Sequence, residues 1–169
     1  MKKMCFVQTA VRSAVCIPLL WGTLAGCAAE NGGERGNLTR YADADVSYTA
    51  VFDGAGTAEC TRTGGTTVLR MMLPERLCGL SVTYDGASCA VSAGEMSVLL
   101  SPELASGLTI LFDLLASPAE EAGIPSKSAD GTQTILPFEA GSVILGADGF
   151  PAEAVFGGRS VLLGDFTIQ

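Results

Sequence analysis

From Val46 to Ile168 the hydrophobic pattern keeps a period of two, apart from a single stretch where it switches to a helical period. Val46, Tyr48, Ala50 and Phe52 are apolar at alternate positions, and Asp53-Gly54 follows. Side chains leave a pleated strand on opposite sides in turn, so this pattern marks a strand with one buried face, and the Asp-Gly pair marks a turn. Ala58, Cys60 and Arg62 continue a second strand up to Gly64-Gly65, and Thr66 to Leu73 makes a third that Pro74 ends. Leu80 to Tyr84 and Ala87 to Val91 flank Asp85-Gly86, the short-range signal of a hairpin, and Met96 to Leu100 adds a strand. Consecutive strands joined this tightly must run antiparallel.

The period then changes. Ser101 suits an N-cap, Pro102 the first helical position, and Leu104, Leu108, Leu111 and Leu115 recur at helical spacing with Phe112 beside them. The spacing predicts one amphipathic helix of about four turns. Ser117-Pro118-Ala119-Glu120 reads as a capping box that opens a short turn stopped by Gly123 and Pro125. Strand signals resume at Thr132 to Phe138, Ser142 to Ala147, Ala152 to Phe156 and Ser160 to Ile168, with Gly157-Gly158 between the last two. The expected fold is α+β: an antiparallel sheet of about ten or eleven strands with one inserted amphipathic helix.

Several of these strands are apolar in both phases, as in Val68 to Leu73, Val98 to Leu100, Val143 to Leu145 and Val161 to Leu163. Such strands favour cover on both faces. A 15-residue helix is only about 22 Å long, whereas ten strands at about 4.8 Å span over 40 Å. Unless the sheet curls fully around the helix, apolar surface is left over. The expected groove draws on Met71, Leu73, Val98 and Leu100 from the first strands, Leu104, Leu108, Leu111, Phe112 and Leu115 from the helix, and Val143 and Leu145 from the later strands.

The first residues address the chain. Lys2, Lys3 and Arg12 precede an apolar run from Ser13 to Thr23, too short for the roughly 20 apolar residues a spanning helix needs. Leu24-Ala25-Gly26-Cys27 behind it resembles a bacterial lipobox. The resemblance implies a signal peptide over 1–26, lipidation of Cys27, and an extracytoplasmic protein held to the cell membrane by lipid. Residues 27–40 then form the lipidated cysteine and a small, polar tether, with a span of roughly 17 Å for ten residues. Residues 41–169 are enough for one domain and too few for two.

Seven basic residues against 18 acidic ones follow the leader, leaving a mature charge of −11. That surface repels nucleic acid and anionic headgroups within a Debye length of about 8 Å. After Cys27 the remaining cysteines are Cys60, Cys78 and Cys89, an odd number without a CxxC spacing. They are expected to be reduced, half-buried small hydrophobes rather than a metal or redox site.

Leu73-Pro74-Glu75-Arg76-Leu77-Cys78-Gly79-Leu80, Leu100-Ser101-Pro102 and Asp148-Gly149-Phe150-Pro151, taken with the order of elements, resemble the small lipoproteins of Gram-positive anaerobes that carry a LolA/LolB-like, lipoprotein-carrier-like half-barrel. The resemblance spans most of 43–169 and rests on turn and cap signatures. It implies that the α+β fold is a curved antiparallel sheet, a half-barrel wrapped around the inserted helix, with a hydrophobic cavity that in the carriers holds acyl chains. The chain departs from the carriers in bearing its own lipid and in its shortness, and no arginine in it matches the one with which a carrier latches its lid.

Catalytic sets are missing from the pattern. The chain has no histidine, so Ser-His-Asp and Cys-His systems are excluded. Glu120-Glu121 are adjacent and reach a solvated face sooner than a common substrate. Asp43 and Asp45 offer calcium two carboxylates where it takes six to eight oxygens. No cofactor, metal or nucleic-acid partner is expected. The expected activity is that of a non-catalytic protein-interaction module, with an acyl chain or lipopeptide in the helix–sheet groove as the alternative.

Overall fold

A computed structural model describes residues 38–169. The expected signal peptide over 1–26, the expected lipobox and lipidation at Cys27, and the expected tether as far as residue 37 lie outside the described residues. None of the described helices is long and apolar enough to cross a membrane.

Eleven strands form one antiparallel sheet: β1 (Val46–Phe52), β2 (Gly56–Thr63), β3 (Thr66–Leu73), β4 (Leu80–Tyr84), β5 (Cys89–Ala93), β6 (Met96–Leu99), β7 (Ser126–Lys127), β8 (Thr134–Phe138), β9 (Gly141–Leu145), β10 (Pro151–Phe156) and β11 (Arg159–Ile168). The helix α1 (Pro102–Ala116) lies between β6 and β7 in sequence. Across the sheet the order is β6-β5-β4-β3-β2-β1-β11-β10-β9-β8-β7. The first and last strands therefore meet in the middle, and Val46 stands opposite Ile168. Gly64 and Gly65 join β2 to β3 with φ of 56° and 82°. Positive φ at both central residues is what a two-residue hairpin turn requires, and glycine adopts it without a Cβ clash.

The topology also explains the curl. β6 and β7 are the two edges of the sheet, so the segment containing α1 has to cross from one edge to the other. The helix touches β5 on one side and β9 and β10 on the other. Laid flat, β5 and β10 would stand roughly 29 Å apart at about 4.8 Å per strand, too far for a helix about 10 Å wide. The sheet meets both sides of α1 only by curving around it. A half-barrel results, with the core on its concave face.

Concave residues line up in rows across the hydrogen-bonded pairs. One row runs Tyr48, Cys60, Leu69, Val82, Val91 and Val98 from β1 to β6. Another runs Val161, Ala154, Val143 and Leu136 through β11 to β8. Leu111, Phe112, Leu114 and Leu115 of α1 are buried against this surface. An aromatic set closes the β1–β11 side: Phe166 stacks on Tyr48 at 5.2 Å and on Phe150 at 5.6 Å, and meets Tyr41 edge-on at 5.8 Å.

Several local expectations are corrected. The expectation that doubly apolar strands are covered on both faces fails on the convex side, where Val51, Leu99 and Leu162 are exposed. The strand expected over residues 87–91 begins at Cys89, because the Asp85 carboxylate accepts from the Ala87 and Ser88 amides at 3.0 and 2.7 Å and extends the turn. The Ser117 hydroxyl donates back to the Asp113 carbonyl at 2.9 Å, so it ends α1 instead of opening a capping box. The two-residue β7 was not expected at all. Of the cysteines, Cys60 and Cys89 are fully buried and Cys78 is exposed; all three are free thiols.

Candidate functional site

Cover on the concave face runs out toward β6. Along the row from Tyr48, the first four residues are buried, Val91 is half-buried and Val98 is 62% exposed. The neighbouring row of Leu80, Ala93 and Met96 ends with Met96 73% exposed. The cause is geometric. α1 touches β5, β9 and β10, and the surface beyond it toward β6 loses its cover. A shallow trough is left, floored by half-buried Met71, Leu80 and Val91, with exposed Met96 and Val98 at its rim. All of these side chains are apolar, so the surface offers contact area and no hydrogen bonds.

The eleven residues expected to form the groove divide by depth. Leu111, Phe112, Leu115, Val143 and Leu145 are buried in the core beneath α1. Met71, Leu100 and Leu108 are half-buried and packed against that core. Leu73 (58%), Val98 and Leu104 (76%) stand exposed. Helix and sheet thus consume the inner part of the apolar surface and leave the outer part open. Sequence reasoning missed Leu80, Val91 and Met96 as floor and rim. Their alternation signalled a buried face, but only the register places them in line with Val98.

Beside α1 opens a second concavity of about 380 Å³, of mixed character, lined by Asp43, Asp45, Arg62, Tyr84, Phe112 and Asp113 among others. Asp45, Arg62 and Asp113 are already engaged. Asp45 accepts from the Gly64 amide at 2.9 Å. Asp113 accepts from the Tyr84 hydroxyl at 2.8 Å. Burial, reinforced by that hydrogen bond to a carboxylate, pushes Tyr84 up to about 12. No group of three or more His, Cys, Asp or Glu among the described residues is placed to hold a metal ion.

Arg62 is the one charged side chain buried among the described residues. Its guanidinium is 6% exposed and donates to four carbonyl contacts: Nη1 to Leu115 at 2.9 Å, Nη2 to Tyr41 and, at 3.1 Å, to Ala44, and Nε to Ala44 at 3.4 Å. Leu115 lies in the last turn of α1, whose free carbonyls carry the negative end of the helix dipole. Desolvation lowers the Arg62 pKa from its ordinary value, opposed by the neighbouring tyrosines and by Asp43 and Asp45. One side chain from β2 thus ties the segment before β1 and the end of α1 to the sheet.

No protein-family model matches the sequence, and no curated protein matches it. Among solved structures the chain is similar to a LolA superfamily protein, NE2245 from Nitrosomonas europaea, at 10% identity with a TM-score of 0.40, over 80% of this chain and 91% of that one. Similarity at that level by itself says nothing about ligand or activity.

Proposed function

We propose that the chain is a membrane-tethered, extracytoplasmic and non-catalytic interaction module, which takes an apolar segment of a partner protein onto the uncovered concave face of β3 to β6. The observation that carries this reading is the fall in burial along the row from Tyr48 to Val98. Monomeric surfaces rarely leave contiguous apolar area uncovered without a use for it. Because the trough is open and not enclosed, a ligand there keeps one side outside, as a segment of a larger partner does. The lipobox motif at Leu24 to Cys27 supports the tether, and the absence of histidine supports a role without nucleophilic catalysis.

A second reading is favoured by the composition of the floor. Met71, Leu80 and Val91 carry no hydrogen-bond donor in their side chains, which also suits an acyl chain or the lipid of an acylated peptide. Photo-cross-linking groups placed at Leu73 and at Leu104 in the membrane-bound chain separate the two. The expected result is a protein adduct from both positions, competed by an excess of the partner's apolar peptide and absent from a control group at Leu162 on the convex face. Lipid adducts from the same positions assign the trough to the second reading. Equal capture at Leu162 overturns both. For the tether, Cys27→Ala is expected to move the protein out of the membrane fraction, and unchanged fractionation refutes the anchor.

A further inference from the structure

Among the described residues the sheet has two free edges, and they are built differently. At β7 the edge is two residues long, follows Pro125, and bears Lys127, whose ammonium donates to the Thr134 hydroxyl at 2.8 Å. Short length, proline and lysine are the devices that keep an edge from pairing. At β6 the proline and the lysine are missing. All four residues are exposed, none is charged, and Met96, Val98 and Leu99 (72%) present apolar side chains on both faces.

The free backbone groups of β6 can be assigned. The Leu100 amide donates to the Cys89 carbonyl at 2.8 Å, and Val91 stands opposite Val98. In an antiparallel ladder, bonded and non-bonded pairs alternate. Met96 and Val98 therefore bond inward to β5, while the N–H and C=O of Ser97 and Leu99 point away from the sheet. A two-fold axis beside Val98 sets Ser97 of one copy against Leu99 of another, so each outward N–H meets an outward C=O. The same axis puts Val98 against Val98 and Met96 against Leu100. The strand is complementary to itself in hydrogen bonds and in apolar contact, and it carries no charge to oppose its own copy.

We propose that β6 is a dimerisation edge, pairing antiparallel with β6 of a second copy about a two-fold axis at Val98. Such contact is isologous and closes at two copies, because the dissimilar β7 edge cannot extend it. It joins the two apolar troughs side by side and leaves their floors open, so it goes beyond the interaction role proposed above and stands or falls separately. The carboxylates flanking the strand, Glu95 and Glu103, and the chain's net charge of −8 oppose approach at low salt. Association therefore tightens as ionic strength rises.

Sedimentation velocity of the purified chain is expected to show a reversible monomer–dimer equilibrium that shifts toward dimer with added salt. Val98→Lys is expected to raise the dissociation constant by at least about tenfold without lowering the thermal midpoint, since the side chain is exposed. A Val98→Cys variant, oxidised and peptide-mapped by mass spectrometry, is expected to cross-link to itself at that position, because non-bonded antiparallel pairs lie about 4.5 Å apart at Cα, within disulfide reach. A monomer at every concentration, an open ladder of higher oligomers, or equal self-linking by a Leu162→Cys control overturns the proposal.

Discussion

Burying a guanidinium costs several kcal/mol unless its donors are matched, and Arg62 is tolerated because three carbonyls from two separate segments converge on it. They lie 18, 21 and 53 residues away along the chain. Arg62→Lys keeps the charge and loses the planar fork, so one compact ammonium has to serve carbonyls spaced for a guanidinium. The expected cost is about 2–3 kcal/mol, read as a lower urea midpoint with an unchanged m-value; an unaltered midpoint refutes the role. Part of this was legible in the sequence, since Arg62 stands in phase with Ala58 and Cys60 on a buried face. The partners were not legible, because alternation says which way a side chain points and nothing about which distant carbonyls meet it. Cys60, one step along the strand, sets a pH limit. Burial pushes its thiol from about 9 up to about 12, partly offset by a hydrogen bond with Tyr48. The folded state therefore holds the proton more tightly than the unfolded chain. This contribution is fully present below pH 9 and is lost as pH rises from 9 to 12, by up to about 4 kcal/mol. Denaturant midpoints measured across that window are expected to fall less steeply for Cys60→Ala; parallel slopes count against the assignment.

At the scale of the element, α1 divides into a working part and an overhang. Leu111 is fully buried, whereas Leu104, seven residues earlier and on the same stripe, is mostly exposed. Leu111→Ala is expected to cost about 3 kcal/mol, the transfer term plus the cavity left under the helix. Leu104→Ala is expected to stay within about 0.5 kcal/mol. Thermal or urea unfolding of the two variants checks this, and equal losses contradict the placement of the helix. The stripe itself was legible in the leucine spacing, as were the helix start at Ser101-Pro102 and the third strand from Thr66 to Leu73. What periodicity withholds is how far along the helix the sheet reaches, because that depends on curvature set by the crossing between edges. The same limit explains β7, whose two residues are too few to show any period, and β5, whose start was displaced by the Ala87 and Ser88 amides donating to Asp85, which hydrophobicity does not register.

For the whole molecule, the order of strands separates local from distant contacts. β1 to β6 form one meander and β7 to β11 another, each built from neighbours in sequence. The β1–β11 ladder and α1 join the halves, and that ladder pairs residues more than a hundred positions apart, such as Ala50 with Leu163. Closing so long a loop is entropically unfavourable before any contact compensates for it, so the seam is expected to form after the hairpins. Substitutions there then act mainly on unfolding. Leu163 is buried at the seam beside Ala50, and Leu163→Ala is expected to remove about 2–4 kcal/mol of stability. Most of that loss should appear as a faster unfolding arm of the chevron, with the folding arm little changed. Val82→Ala, inside the first meander, is expected to slow folding by a larger fraction of its own stability loss. Stopped-flow chevrons for the two variants compare these fractions directly. If Leu163→Ala slows folding as strongly as Val82→Ala, relative to what each destabilises, the seam belongs to the nucleus, and the half-barrel closes before its meanders are complete.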